Sequence, residues 1–341
     1  MLSHFFETLL PVIEADLKTV LHPPSGSPPL FYRMLHYHMG WVDSRGRHVK
    51  GARGGKRIRP VLCLLTCEAV SGDYEPARPA AAAVELIHNF SLLHDDIEDH
   101  SPTRRNRRTV WAIWGEEQAI NAGDTLFVLA HLAIPRLTPA AGLPAEVAVR
   151  LLHILDETSL ELTRGQHLDM SFEGRSRVST GEYLDMIAGK TAALLAASAW
   201  MGALSGGADD QAQMHYRAFG ENLGMAFQVM DDILDIWGDP SVTGKEAAID
   251  IRQRKKSLPV LHALAHSSEL QDLYSMAEPF DEATVSRVIR LLDQTGAREY
   301  AEETARRYSE ETLACLEAVG PEGEAGQALF ELTDRLLHRD R

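Results

Sequence analysis

The sequence predicts an all-α protein, one large helical bundle, on three observations. Alternating strand-type patterns are scarce, and no Asn-Gly hairpin turn occurs. Apolar residues recur at three- and four-residue spacing between breaks rich in Gly, Pro, Ser and Asp. No linker is long enough to separate two domains, so a single domain over residues 1–341 is expected.

The breaks fall at 22–29 (HPPSGSPP), 42–55, 71–79, 137–144, 173–179, 205–210 and 238–248. The opening segment, MLSHFFETLLPVIEADLK, is apolar but interrupted by Glu7, Glu14 and Asp16. It lacks a basic start and a small-residue cleavage site, and is not expected to be a signal peptide. Cys63 and Cys67 lie in an apolar helical run (VLCLLTCEAV) and read as small core residues rather than metal ligands. The longest apolar run, 191–205, is too short to span a bilayer and reads as a buried core helix, so no transmembrane segment is expected.

Composition narrows the function classes. The apolar fraction of 45% suits a sizeable core. The net charge of −15 opposes nucleic-acid binding, as does the scarcity of aromatics near the basic stretches, where only Trp111 and Trp114 lie close. The cations are nevertheless gathered: 45–59 holds seven Lys or Arg, and 104–108 and 252–256 hold four each, out of 34. An acidic protein that groups its cations in this way binds small anions locally. Three cysteines make no disulfide framework and fit a reducing, cytoplasmic location.

The chemistry centres on a local echo. HDDIEDH at 94–100 is matched by MDDILDI at 230–236, so Asp95, Asp96 and Asp99 form one DDxxD pattern and Asp231, Asp232 and Asp235 a second. On a helix the first and last Asp of each motif share a face. Carboxylates gathered there repel unless a cation lies between them, and oxygen ligands suit Mg²⁺. One such cluster is ordinarily a solvated surface. Two, both set among apolar residues (SLLHDDIED and FQVMDDILDI), point to a pair of facing motifs that clamp a diphosphate through bridging metals.

Around these motifs the sequence resembles the trans-isoprenyl diphosphate synthase family over residues 54–264. GGKRIRP at 54–60 matches its basic motif, IHNFSLLHDDIED at 87–99 its first aspartate motif, and Arg104-Arg105 the pair that follows. GQHLD at 165–169, GKT at 189–191, and FQVMDDILD with GDPSVTGK at 227–245 match the remainder in order. The resemblance implies an isoprenoid synthase fold, a single bundle of antiparallel helices around a deep active-site cavity, commonly as a homodimer. It implies a prenyltransferase that condenses an allylic diphosphate with isopentenyl diphosphate.

It also implies roles. Asp95, Asp96, Asp99, Asp231, Asp232 and Asp235 would hold about three Mg²⁺ on the allylic diphosphate, chiefly through Asp95, Asp99 and Asp231. Arg104, Lys190, Lys245 and Lys255 would add charge-assisted hydrogen bonds to it. Thr191 and Gln228 match positions lining the allylic cation, so Lys190, Thr191 and Gln228 are the catalytic set. Lys56, Arg59, His88 and Arg105 would hold isopentenyl diphosphate without metal. Asp169 would support the metals or Lys190. Lys255 is preferred to Lys256 because it follows Asp250 by five residues. Phe90, five residues before Asp95 and about 7.5 Å along the helix axis, is the expected chain-length stop. With no insertion in DDIED, it points to geranylgeranyl diphosphate, with farnesyl diphosphate as the alternative.

Two departures stand out. Asn106-Arg107-Arg108-Thr109 replaces a Gly-basic-Pro-Thr segment, and Arg108 in place of proline is expected to loosen the turn. The stretch after Lys245 reads EAAID, where smaller residues are commoner. A class I terpene cyclase would not need Lys56, Arg59, His88 and Arg105, and a non-catalytic subunit would be expected to have lost aspartates.

Overall fold

The computed structural model describes residues 1–49, 54–238, 248–276 and 278–337. It is all-α, with a single two-stranded ribbon among the described residues. The chain forms two compact units. One comprises Met1–Ser159, Ala197–Met214 and Pro321–Leu329, and the other Leu160–Ala196, His215–Gly320 and Phe330–Arg341.

In the first unit, helices α1 (Leu2–Val20), α2 (Pro29–His38) and α3 (Ile58–Ser71) lead into α4 (Arg78–Glu98), α5 (Val110–Trp114) and α6 (Glu116–Ala141). Almost the whole first half of α4, through Ile87, is buried, much of it alanine, and it packs along α6. Small side chains let helix axes approach closely. Cys63 and Cys67 are buried free thiols in α3, as expected. The predicted break at 137–144 starts later than expected. Helix α6 runs through Pro135 and Pro139 to Ala141, and Gly142, at φ 64°, ends it. Each proline gives up one i→i−4 bond, yet burial of Ala133, Ile134 and Leu137 continues the helix past both.

In chain order, helix α7 (Ala145–Glu173) is followed by α8 (Thr180–Ile187), a π-helical segment at Ala188–Ala192, α9 (Ala193–Ser205) and α10 (Asp210–Trp237). Ser179 opens α8 with a reciprocal capping box to Glu182. The continuous helix Thr180–Ser205 is longer than the apolar run in the sequence suggested. By length and composition it is long enough to cross a membrane, but 78% of its apolar window is buried inside the molecule. The second unit's core includes Tyr183, Met186, Ile187, Met225, Val229, Ile233, Leu258 and Leu261.

Candidate active site

Helical periodicity sorts the first aspartate motif. Asn89, Leu93 and Asp96 occupy the buried stripe of α4, while His88 and Asp95 are partly buried and Asp99 is exposed. Asp96 is only 1% exposed. Its Oδ1 accepts from Arg104 Nε at 2.6 Å. Burial pushes the Asp96 carboxyl above its usual range, and Arg104 opposes that shift.

Arg57, at φ 51°, turns inward to pair with Glu85 at 2.5 Å and Glu14 at 2.9 Å. Lys56 and Arg59 line a cavity of about 120 Å³ together with Arg57, His88, Arg105 and Glu85. Burial and then the Arg59, Arg105, Arg104 and Arg57 charges hold the His88 imidazole well below its usual range, so it is neutral. Burial also lowers Arg59, against the pull of Glu85.

Arg105 reaches this cavity from a tight hairpin. Strands β1 (Thr103–Arg104) and β2 (Arg107–Arg108) pair antiparallel, Thr103 opposite Arg108. Arg105 and Asn106 between them are both left-handed, at φ 51° and 58°. Paired positive φ values mark a type I′ turn, usually built with Asn-Gly. The expected loosening at Arg108 therefore does not occur: Arg108 extends the ribbon, and its carbonyl accepts from Tyr37 OH at 2.7 Å. Arg105 donates to Gly54 O. A Cβ on Gly55, at φ 103°, would lie 2.7 Å from the Arg105 guanidinium.

Phe90, half-buried on α4, meets His94 and Phe127 with ring centroids 4.9 and 5.1 Å away.

The second unit carries the other half of the predicted set. A Cβ on Gly189 would lie 2.5 Å from Glu161 O, so only glycine lets the π segment pack on α7. A π segment adds a residue to the turn and re-aims its side chains. Lys190 pairs with Asp169, as the resemblance suggested. Thr191 Oγ1 lies 3.0 Å from Gln228 Oε1.

On α10, Met225, Val229, Asp232, Ile233 and Ile236 form the buried stripe, leaving Gln228, Asp231 and Asp235 partly buried beside it. Asp232 is 3% exposed. It accepts from Tyr183 OH at 2.5 Å, Leu258 N at 3.1 Å and Gln228 Nε2 at 3.1 Å. Burial pushes its carboxyl up to about 7, against these three hydrogen bonds. Asp235 Oδ2 accepts from Asp250 N at 3.0 Å. Lys255 is half-exposed, 3.9 Å from Asp250, whereas Lys256 donates to the carbonyls of Phe172 and, at 2.6 Å, Arg175. Lys256 thus closes the end of α7, and Lys255 is the better placed of the two for a ligand. Lys245 lies outside the described residues.

Among the described residues no three His, Cys, Asp or Glu side chains converge as a protein-only metal site. The carboxylates of Asp95 and Asp99 in the one unit, and of Asp231 and Asp235 in the other, are still hard-oxygen donors of the kind that suits Mg²⁺. That ion usually takes one or two carboxylates and completes its shell with water and substrate phosphate.

The sequence reading passed over Tyr183, Glu85 and Arg57. Arg57 stood within the GGKRIRP motif; Tyr183 and Glu85 gave no local signal.

The polyprenyl synthetase family model matches residues 46–292. The chain is 39% identical over 316 residues to a (2E,6E)-farnesyl diphosphate synthase of Mycobacterium tuberculosis, covering 90% of this chain and 85% of that one. It is 38% identical over 340 residues to a geranylgeranyl diphosphate synthase of the same organism, covering 98% and 94%. The solved polyprenyl synthetase of Streptomyces coelicolor superimposes with a TM-score of 0.88 at 36% identity, covering 99% and 100%. A match that spans most of the chain, in sequence and in three dimensions, settles the kinship: this chain belongs to the polyprenyl synthetase family and has the isoprenoid synthase fold.

Proposed function

We propose that the chain is a short-chain prenyltransferase, acting as one catalytic domain, that condenses an allylic diphosphate with isopentenyl diphosphate to give geranylgeranyl diphosphate. The observation that carries this reading is the cavity of about 120 Å³ lined by Lys56, Arg59, His88 and Arg105. A cyclase handles a single diphosphate and has no use for a second cationic pocket.

Isopentenyl diphosphate must stay intact, so its pocket needs cations and neutral donors but no metal. Arg59 and Arg105 supply fixed charge, Lys56 a mobile one, and neutral His88 a hydrogen bond. The allylic diphosphate must ionise. Following the family resemblance, Asp95, Asp99, Asp231 and Asp235 would hold Mg²⁺, whose charge would neutralise the leaving group. Arg104, Lys190, Lys245 and Lys255 would contribute charge to binding the allylic diphosphate. Thr191 and Gln228 direct dipoles toward the developing positive charge. Phe90 limits the length of the growing chain, and farnesyl diphosphate is the alternative product, since the similar enzymes carry both names. We infer a cytoplasmic homodimer from the family resemblance and the reduced cysteines.

The test is chromatography of the dephosphorylated products formed by the purified protein, Mg²⁺, labelled isopentenyl diphosphate and each allylic primer. Geranylgeraniol is expected. Diphosphate release from the allylic substrate alone would replace this reading with a cyclase.

A further inference from the structure

In the second unit four side chains form one line of hydrogen bonds whose direction is set at every link when Asp232 is ionised. Tyr183 OH and Leu258 N donate to Asp232 Oδ2, at 2.5 and 3.1 Å. Asp232 Oδ1 faces Gln228 Nε2 at 3.1 Å, and Gln228 Oε1 faces Thr191 Oγ1 at 3.0 Å. An ionised carboxylate only accepts, so the amide corner turned toward Asp232 must be the NH₂. The amide oxygen then faces Thr191, and because it too only accepts, Thr191 must give it its single hydrogen. The remaining lone pairs of Thr191 Oγ1 are left pointing elsewhere.

The partners of Asp232 are all donors, which favours its charged form in a buried place. One of them is the first N–H of the helix Leu258–His266, whose N-terminal dipole also favours an anion.

We propose that Asp232 and Tyr183 are positioning residues that set the polarity of the Gln228–Thr191 pair, so that Thr191 offers lone pairs rather than a hydroxyl hydrogen to the positive charge of the ionising allylic substrate. This rests on the function proposed above. It takes Asp232 out of the metal-ligand set in which the family resemblance had placed it. With the amide reversed, Thr191 would accept from Gln228 and turn its hydrogen toward a cation, which is repulsive.

The test compares wild type, Tyr183→Phe, Asp232→Asn and the double variant Asp232→Asn/Gln228→Glu, with both substrates and Mg²⁺ titrated separately. Asp232→Asn keeps the shape but lets an NH₂ face Gln228 and reverse it; kcat should fall by about 10- to 100-fold, less than or near the loss for a direct oxyanion donor. Tyr183→Phe removes one donor and should lower kcat by about 3- to 10-fold. KM for both substrates and the half-saturating Mg²⁺ should stay within about twofold.

In the double variant the amide introduced at position 232 donates to the carboxylate introduced at position 228, which again only accepts from Thr191. Most of the kcat lost in Asp232→Asn should return, a rescue that a purely structural role does not provide. A fivefold or larger rise in the Mg²⁺ requirement of Asp232→Asn would make Asp232 a ligand and overturn the proposal. So would a double variant no better than the single one. If Asp232→Asn fails to fold, Tyr183→Phe decides: an unchanged kcat overturns the proposal, and a lowered kcat at constant KM supports it. A wild type that forms no prenyl product removes the proposed function and this inference with it, whereas an active wild type without rescue removes this inference alone.

Discussion

HDDIEDH on α4 and MDDILDI on α10 put the same residues on the same helical stripes, yet their middle carboxylates are satisfied in different ways. Asp96 meets a cation, Arg104, at 2.6 Å. Asp232 meets only neutral donors from Tyr183, Leu258 and Gln228. A cation partner makes the first motif a means of holding an arginine that itself belongs to the proposed diphosphate site. Neutral dipoles make the second a means of orienting an amide. Identical spacing therefore fixes which aspartates share a face with the outer pair, and the neighbours on other helices decide what the inner one does.

The comparison breaks most readily at the outer carboxylates. Asp95→Ala and Asp231→Ala should each lower kcat by about 10³-fold or more, because in the proposed reaction both would act on the ionising state. Single-turnover rates in Mg²⁺ check this, and near-normal turnover in either variant would end the shared role. Next in size, Lys56→Ala should raise KM for isopentenyl diphosphate by about 10- to 100-fold while leaving the allylic KM alone, since it deletes one charge-assisted contact. Separate substrate titrations test it, and an effect confined to the allylic substrate would reverse the assignment.

Asp96→Asn sharpens the contrast itself. It removes the charge opposite Arg104, and should lower stability by about 1–3 kcal/mol, read from denaturant unfolding, and weaken allylic binding. Phe90→Ala should lengthen the products at a similar ionisation rate, seen by product chromatography; an unchanged distribution would put the stop elsewhere.

The smallest expected effect is on stability against pH. Burial first, then surrounding arginines, holds His38 and His88 well below their usual range. As pH falls through about 6.5, the unfolded chain takes up protons that the folded one does not, so stability falls on the acid side. The drop in Tm between pH 7 and 5 should be shallower in His38→Asn than in wild type.

Much of this was legible in the sequence, for physical reasons. Helix ends follow Gly and Pro, so the breaks around 22–29, 71–79 and 205–210 could be read locally, and α6 ran past Pro135 and Pro139 only because burial outweighed two lost hydrogen bonds. The outer aspartates stood out because helical spacing is a local property, and Lys56, Arg59 and His88 because the family resemblance marked them. Tyr183 did not, because it meets Asp232 across 49 residues of chain. The Arg105–Asn106 turn did not either: neither residue is glycine, and its left-handed backbone is imposed by the pairing of Thr103 with Arg108. The π segment had no signal beyond the glycine in GKT.

The closeness of Gly55 to Arg105 has a consequence for how this protein can drift. A new side chain at position 55 would collide with the far end of a flexible arginine rather than with rigid backbone. The guanidinium can swing aside, so the cost of such a change to the fold is the strain of φ 103° rather than a clash. What the protein would also lose is the arginine's bond to Gly54 O and its place in the cavity beside Lys56, Arg59 and His88. A change at position 55 therefore acts twice: it strains the backbone there, by about 1–3 kcal/mol, and it displaces Arg105 from the cavity.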